Sequence, residues 1–347
     1  MVNIYTQIHT QIHTYIHTYI HTYIHTHTHT HIHTHTHTHT HTHTHTTHTE
    51  LGTYAVVALG DKSCVLEFVD NATSLNSILG ASSNKTTFAR GLHARYGDPQ
   101  DWSYQACFTA IANCYANDRS EEAQLRTYTD VCKHCSPVFR HYFAESTRSA
   151  REWFELRLTY TRSVASSSMA GHIVGLGDRH CSNILIRETG RQRGSVVHID
   201  LGIIFDNARH LPRPEKIPFR MTRDMVDGMG LAQTDGVMSR CAEESLRVMR
   251  ENKHSLLAIV DVLLHDPLES WKMSDHKREQ KRDATGGDDC VVSNVDARIV
   301  RKTIKDKLEG LVRGELLGVQ GQVKQLISEA TSPENLSLLF QGWCAWY

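Results

Sequence analysis

The segment from residue 151 to residue 202 constrains the fold more than any other part of the chain. It begins with a long helical pattern, REWFELRLTYTRSVASSSMAGHIVG, and continues into the loop LGDRHCSN. The runs ILIRETG and SVVHIDLG then predict two β-strands joined by a turn. We therefore expect a helix that leads into a polar loop beside a β-hairpin, with Asn183 before the first strand and Asp200 after the second.

The first fifty residues limit how much of the chain can fold. They contain no charged side chain before Glu50, and they repeat with a period of four, as in YIHTYIHT, and then of two, as in HTHTHT. Since such a tract has no apolar face to bury, we predict that residues 1–50 are disordered, and their period suggests a translated microsatellite. Binding of Zn²⁺ or Ni²⁺ by the histidines is the alternative. A globular part of about 300 residues remains.

Composition excludes few classes of function. The chain has 37 basic and 38 acidic side chains, so its net charge of −1 gives no reason to expect a nucleic acid or a membrane as partner. Nine irregularly spaced cysteines and the lack of a signal-peptide pattern predict a reduced, intracellular protein. Cys132 and Cys135 form a single CxxC pair. We interpret it as packing, with metal binding or redox chemistry as the alternatives.

The remaining sequence predicts an α+β fold that is mainly helical. YAVVAL and CVLEFV, separated by GDKS, predict a β-hairpin. SYQACFTAIANCYAND and QLRTYTDVCKHCSPVFRHYFAES place apolar residues three and four positions apart, as helices do. The run IVRKTIKDKLEGLVRG continues this pattern, with Val300, Ile304, Leu308 and Leu311 on one face. Residues 274–296 are charged and turn-rich, which predicts a flexible insertion.

The polar residues near the predicted hairpin suit phosphoryl transfer from ATP. That reaction needs a carboxylate to orient the attacking hydroxyl, an amide oxygen and a second carboxylate for Mg²⁺, and a cation for the developing charge. Asp178, Asn183 and Asp200 supply the oxygen groups. Their spacing matches the protein-kinase loop, where Asn follows the catalytic Asp by five residues and an Asp-x-Gly comes later. Turn capping is the alternative role of both aspartates.

The order Asp-Arg-His, reversed from that of ordinary protein kinases, resembles the phosphatidylinositol 3-kinase-related kinases. Four stretches are similar to the ATM (ataxia-telangiectasia mutated) branch of this family: LTYTRSVASSSMAGHIVGLGDRH, VVHIDLGIIFD, PFRMTRDMVDGMG and LSLLFQGWCAWY. The resemblance covers residues 54–347. It implies a protein-kinase-like fold of the PI3/PI4-kinase type, with the hinge and C-lobe of the catalytic domain in residues 51–314 and a helical FATC segment in residues 315–347.

The resemblance also implies roles for single residues. Asp178 would be the catalytic base, Asn183 and Asp200 the ligands of Mg²⁺ or Mn²⁺, and His180 a group that stabilises the transferred charge. His180 is the rival base, because an unperturbed histidine has a pKa nearer neutrality than an aspartate has. Arg179 is expected to be structural.

The same resemblance places the adenine of ATP at the hinge after VLEFV. Glu67 to Val69 would offer backbone groups, Phe68 an aromatic wall, and Leu185 and Ile199 an apolar floor. Burial of Phe68 in the core is the alternative.

The implied activity is phosphorylation of proteins at Ser or Thr followed by Gln, in nuclear DNA-damage signalling. The implied partners are a second copy and DNA-break sensor complexes. We expect no direct nucleic-acid site and no membrane contact. The basic residues of 200–220 are scattered, which favours a protein over a phosphoinositide substrate. A lipid kinase and a non-catalytic scaffold are the alternatives.

Two expectations concern the ends of the chain. The first lysine is Lys62, so the phosphate-covering loop and strand lysine of a kinase N-lobe, and the helical solenoid that precedes it in the family, are expected to be missing. We therefore expect the chain alone to be inactive. The apolar residues of 336–347 predict docking on the kinase lobe, with contact to a partner or membrane as the alternative.

Overall fold

A computed structural model describes residues 51–60, 63–264 and 289–347. The predicted disordered tract and residues 274–288 of the predicted insertion lie outside these ranges. In the described part, helices predominate and the strands are short and antiparallel, which confirms the predicted α+β class. No helix there is long and apolar enough to cross a bilayer.

The described strands form three small sheets. They are β1 (Val56–Gly60) with β2 (Ser63–Leu66), β3 (Ala72–Ser74) with β4 (Ile184–Arg187) and β5 (Val196–His198), and β6 (Leu311–Val312) with β7 (Glu315–Leu316). The helices before the active-site loop are α1 (Leu75–Leu79), α2 (Lys85–Arg90), α3 (Leu92–Tyr96), α4 (Tyr104–Asn117), α5 (Glu121–Lys133), α6 (Arg140–Glu145) and α7 (Ala150–Val174). Those after it are α8 (Arg223–Gly228), α9 (Val237–Glu251), α10 (Lys253–Leu264), α11 (Asp289–Glu309), α12 (Val319–Thr331) and α13 (Pro333–Ser337).

Helix α7 is the central element of the fold. The side chain of Ser149 caps its first turn by accepting a hydrogen bond from the Glu152 N–H, and Gly175 ends it with a left-handed φ of 64°. A side chain at position 175 would also collide with the backbone of Asp206. Small residues in its second half let it pack closely against α9 and β5. The chain leaves the core at Gly175 and enters the loop that holds Asp178.

The predicted hairpin after this loop is present as β4 and β5. Ile184 lies opposite His198 and Leu185 opposite Val197 in an antiparallel register. Burial alternates along β4, so Leu185 lies on the half-exposed face. The third strand, β3, is too short to give a pattern in the sequence, and it pairs with the other edge of β4.

Two helical predictions need correction. The stretch 124–146 contains two helices, because the chain leaves the helix after Lys133 and Pro137 follows. The predicted helix over 299–314 ends at Glu309, since Gly310 has a φ of 79° and a β-hairpin follows. Ile304 and Leu308 are buried as predicted, whereas Leu311 is partly exposed in β6.

The C-terminal residues dock on the helical core, as the sequence predicts. Trp343, Trp346 and Tyr347 are 3%, 2% and 0% exposed. Helix α13 packs against α5, and the Tyr128 hydroxyl donates a hydrogen bond to the Ala345 carbonyl at 3.3 Å. The last residues are therefore part of the same core as the catalytic loop.

Candidate active site

The loop of residues 175–183, where the sequence predicts the catalytic residues and which is called the catalytic loop below, runs between α7 and β4. Asp178 has a left-handed φ of 57°, and its N–H donates a hydrogen bond to Glu215 Oε2 at 3.0 Å. Burial raises the pKa of Glu215. The Gly177 N–H donates to the Ile203 carbonyl at 2.9 Å, which aligns this loop with the segment after Asp200. These bonds hold the half-buried Asp178 side chain at the loop surface.

Arg179 joins the catalytic loop to the Asp-Leu-Gly segment. Its Nε donates to the Gly177 carbonyl at 2.8 Å and its Nη1 to the Ile199 carbonyl at 2.7 Å. Its Nη2 donates to the Asp200 carbonyl. Burial lowers the pKa of Arg179 to about 10, so the guanidinium remains charged at neutral pH. All three bonds go to backbone carbonyls, which gives Arg179 the structural role that the sequence predicts.

Asn183 and Asp200 lie at the open end of the β4–β5 hairpin, where a backbone hydrogen bond joins the two chain segments. The Ile199 N–H donates to the Asn183 carbonyl at 3.0 Å, and Asp200 is the following residue. Asn183 Nδ2 donates to the Asp178 carbonyl at 3.0 Å, which leaves the amide oxygen as an acceptor. The Asp200 side chain is exposed, and its backbone has a left-handed φ of 52°.

This pair fits a hard divalent cation. Mg²⁺ prefers oxygen ligands, takes one or two from protein and keeps several waters or substrate oxygens. The described residues contain no group of three or more His, Cys, Asp and Glu side chains suited to a metal. Asn183 and Asp200 offer only one amide oxygen and one carboxylate, so phosphate oxygens would supply further ligands of the cation.

His180 is arranged as a hydrogen-bond donor more than as a base. Its Nδ1 accepts the Ser182 N–H at 3.2 Å, which leaves the proton of a neutral ring on Nε2. Burial lowers the pKa of His180, and the nearby Asp178 carboxylate only partly opposes this. A neutral imidazole with its proton on Nε2 can donate to a phosphate oxygen but cannot accept a proton there. This geometry favours Asp178 over the rival base.

The residues expected around adenine lie on two parts of the chain, the segment 67–69 after β2 and the β4–β5 hairpin. Phe68 is 83% exposed, so it is not a core residue. The Glu67 N–H already donates to the Ala55 carbonyl at 2.8 Å, and the Glu67 carboxylate accepts the Ala55 N–H at 2.6 Å. Within the described part of the chain, the Glu67 carbonyl and the Val69 N–H form no backbone hydrogen bond with another described residue.

Leu185 and Ile199 share one face of the small sheet. Leu185 lies opposite Val197, and Ile199 follows Val197 by two residues, so the pleat directs these side chains to the same side. Both are partly exposed and pack on the core. The structure thus brings the expected floor together with Asn183, which precedes Leu185 by two residues.

A cleft of about 670 Å³ opens beside the catalytic loop. Asp178 and His180 line it, whereas the expected metal ligands and adenine contacts do not. Its other walls include residues from both ends of α4, the segment around Arg213 and the C-terminal residues. The apolar and aromatic lining residues are Ala81, Tyr104, Tyr115, Leu211, Pro212, Phe340 and Trp343. The cleft therefore contacts the expected catalytic residues but none of the residues expected to bind the metal or adenine.

Arg220 is a site residue that the sequence did not reveal. It is 2% exposed, and its Nη1 donates to the Trp343 carbonyl at 2.7 Å and to the Arg179 carbonyl at 3.3 Å. Its Nη2 donates at 3.0 Å to Cys181 Sγ, to the Cys344 carbonyl and to the backbone oxygen of Tyr347, the last residue. This side chain fixes the C-terminal residues to both sides of His180. Nothing in the pattern around residue 220 signals contacts more than a hundred residues away.

The CxxC pair has a packing role. Cys132 lies in the last turn of α5 and Cys135 follows the helix. Arg223 donates to their two carbonyls at 2.7 and 3.0 Å. These bonds satisfy the carbonyl groups at the end of the helix. The described residues include no metal-binding group here.

Comparisons with known proteins agree with this geometry. Residues 36–273 match the phosphatidylinositol 3- and 4-kinase family, and residues 316–347 match the FATC domain. The chain is 41% identical over 303 residues to the serine/threonine-protein kinase ATM of Arabidopsis thaliana, and 40% identical over 316 residues to the serine-protein kinase ATM of Sus scrofa. Each match covers 85% of this chain but only 8% and 10% of the relative.

Solved structures give the same result. The FAT and kinase domain of CtTel1 superimposes with a TM-score of 0.71 at 37% identity, over 86% of this chain and 19% of that one. The complete CtTel1 dimer with C2 symmetry also gives 0.71, over 86% and 10%. The chain belongs to the phosphatidylinositol 3- and 4-kinase family, with a FATC domain at its C-terminal end and ATM and Tel1 kinases among its relatives.

Proposed function

We propose that this chain contributes the catalytic loop of an ATM-type serine/threonine protein kinase that uses ATP and Mg²⁺, or Mn²⁺. The observation that carries the proposal is the Arg179 clamp. It fixes the backbone of Asp200 beside the loop that holds Asp178 and Asn183. Phosphoryl transfer depends on positioning and charge neutralisation, so a rigid set of these three side chains is what the reaction requires.

Each side chain has a role that its surroundings support. Asp178 accepts the proton of the attacking hydroxyl, and His180 Nε2–H donates to the transferred phosphoryl group. Asn183 Oδ1 and the Asp200 carboxylate would hold the divalent cation, which would supply charge neutralisation for the phosphates. Adenine would lie between Phe68 and the floor of Leu185 and Ile199, with hydrogen bonds to the Glu67 carbonyl and the Val69 N–H.

The cleft beside the catalytic loop supports a protein substrate. It combines aromatic walls with polar groups, as a site for a peptide side chain does. The basic residues of the segment 200–220 are occupied within the protein. Arg213 donates to Gln124 and Gln341, Lys216 pairs with Glu121, and Arg209 pairs with Asp206.

Arg220 is the fourth cation of this segment, and it is buried against the C-terminal residues. A phosphoinositide headgroup needs several cations together, and Arg209 and Lys216 are the exposed cations of this segment, each already in an ion pair, so the segment favours a protein over a lipid substrate.

The proposal has a direct test in a graft, in which residues 51–347 replace the matching segment of CtTel1. We expect the graft to phosphorylate a Ser-Gln peptide at least about tenfold faster than a Ser-Ala peptide or phosphoinositide vesicles, a difference of about 1.4 kcal/mol. Faster lipid labelling would favour the lipid-kinase alternative. No transfer by a folded graft would favour the scaffold.

The wider assignments rest on the relatives. We propose that residues 51–314 are the catalytic part and residues 315–347 the FATC part of a nuclear DNA-damage kinase. Its partners would be a second copy and DNA-break sensor complexes. The CtTel1 dimer supports the second copy.

A further inference from the structure

A buried arginine lies in the wall of the cleft that also contains the expected catalytic residues. Arg213 is 9% exposed and lines the cleft of about 670 Å³ together with Asp178 and His180. Pro212 and Pro214 flank it in the sequence. Because proline restricts its own φ and the backbone of the residue before it, the main chain around Arg213 has little freedom.

The contacts of Arg213 hold its guanidinium in place but do not neutralise it. Nη1 donates to Gln341 Oε1 and Nη2 to Gln124 Oε1, each at 2.9 Å. The guanidinium carbon lies 4.0 Å from the centre of the Tyr115 ring. These partners are uncharged, and no carboxylate of the described residues forms an ion pair with Arg213. The positive charge is therefore buried without a counter-charge.

Arg213 also has donor groups that the protein leaves unused. A guanidinium can donate five hydrogen bonds. Arg213 makes two, and its Nε is buried without a hydrogen-bond partner in the described part of the chain. Burial lowers the pKa of Arg213, although an arginine stays charged at neutral pH. Since an unpaired buried cation is costly, an anion that enters the cleft would be stabilised beside it.

The charge differs between the two sides of this cleft. Glu215 Oε2 accepts the Asp178 N–H at 3.0 Å, so both carboxyl groups of the cleft lie at the catalytic loop. Arg213 instead contacts helices α4 and α5 and the C-terminal residues, and it is the only Arg or Lys among the described residues that line the cleft. An acidic group is therefore favoured at the Arg213 wall and disfavoured beside the loop.

We propose that Arg213 is a specificity-determining residue that binds the side chain of an Asp or Glu in the protein substrate, close to the phosphorylated Ser or Thr. The inference rests on the proposed kinase function and adds a preference for substrate charge to it. One guanidinium suits one carboxylate, which a peptide side chain supplies.

Peptide binding to the whole chain tests this preference without phosphoryl transfer. The probes are Ser-Gln peptides in which Glu, Gln or Lys occupies each neighbouring position in turn, and fluorescence anisotropy measures their affinity. At one position or more, the Glu peptide should bind at least about fivefold more tightly than the Gln peptide, and the Lys peptide should bind more weakly than both. Equal affinities at every position would overturn the proposal.

Substitutions of Arg213 separate ion pairing from a structural role. Arg213→Gln should remove the preference, and Arg213→Glu should reverse it, so that the Lys peptide binds most tightly. An unchanged preference in both folded variants would overturn the assignment, because a structural role would not reverse with charge.

Lys216→Gln is the matched control. It removes an equal charge from the same segment, but Lys216 pairs with Glu121 and does not line the cleft. The preference should survive this change. Circular dichroism shows whether each variant is folded. If the Arg213 variants are not, survival of the preference in Lys216→Gln still supports Arg213, and its loss there overturns the proposal.

The graft distinguishes this inference from the proposed function. With the same peptides, kcat/KM should favour Glu over Gln by at least about fivefold, mainly through KM. Transfer to Ser-Gln peptides without a charge preference would overturn the role of Arg213 and leave the kinase assignment intact. No transfer by a folded graft that still binds the Glu peptide most tightly would contradict the kinase assignment and support the anion site.

Discussion

The C-terminal segment (residues 316–347) and the β1–β2 hairpin differ in how deeply their apolar side chains are buried. Trp346 and Tyr347 of the segment are 2% and 0% exposed, whereas Val57 and Val65 of the hairpin are each 55% exposed. Buried apolar groups contribute to the free energy of unfolding, and exposed ones are available to a ligand or another surface. Substitutions in the segment should therefore change stability, and those in the hairpin should change binding.

The largest expected effect is that of Trp346→Ala. Removing a fully buried aromatic side chain should lower the free energy of unfolding by about 3–5 kcal/mol. Denaturant unfolding measures the change. Phe340→Ala is the matched control, because this residue of the same segment is half-exposed, and we expect a loss below about 1 kcal/mol. Equal losses would show that the segment is not docked as described.

Arg220→Met tests whether this buried side chain holds the C-terminal segment on the core. The change keeps an apolar stem but removes the donor to the Trp343 carbonyl and to the backbone oxygen of Tyr347, and one of two donors to the Cys344 carbonyl. We expect a loss of about 2–4 kcal/mol, since unpaired buried acceptors are costly. Arg148→Met, on the surface, should change the free energy of unfolding by less than about 0.5 kcal/mol. A small loss for Arg220→Met would mean that the segment docks without this residue.

Phe68→Ala tests whether the exposed apolar residues in and just after the β1–β2 hairpin bind a ligand. Because the ring is exposed, the free energy of unfolding should change by less than about 0.5 kcal/mol. The loss of the aromatic wall should raise the dissociation constant of ATP in the graft about 2- to 10-fold. A nucleotide competition assay measures it, with the fully exposed Leu231→Ala as control. Unchanged affinity would remove Phe68 from the nucleotide site.

The smallest expected effect is the pH-dependent change that Glu215→Gln makes to the free energy of unfolding. Because burial raises the pKa of Glu215, this carboxyl favours folding in its protonated form. Its contribution is fully present below the unfolded pKa and is lost as the pH rises through the folded one. The amide oxygen of the substituted side chain can still accept the Asp178 N–H, so the variant should be slightly more stable than the unmodified chain at pH 7 and equal to it at low pH. Unfolding curves at both pH values decide, and the opposite trend contradicts the burial argument.

Local sequence patterns predicted the elements that form within one continuous stretch of the chain. Helix α7, the β4–β5 hairpin and the order of Asp178, Asn183 and Asp200 follow from periodicity and spacing. Contacts between distant residues could not be predicted in this way. Glu215 caps the Asp178 N–H across 37 residues, and Arg220 reaches Tyr347 across 127. Such pairings depend on the packing of whole elements, which a single sequence does not show.

The most direct test of the central claim is Mg²⁺-dependent phosphorylation of a Ser-Gln peptide by the graft and its Asp200→Ala variant. Asp200 is exposed but has a left-handed φ of 52°, which alanine tolerates less well, so its loss should lower the free energy of unfolding by about 1 kcal/mol at most, while transfer should fall at least about a hundredfold. Asp130→Ala, another exposed aspartate, should leave the rate unchanged. Near-normal transfer by the folded Asp200→Ala graft would contradict the assignment of this loop as the phosphoryl-transfer site.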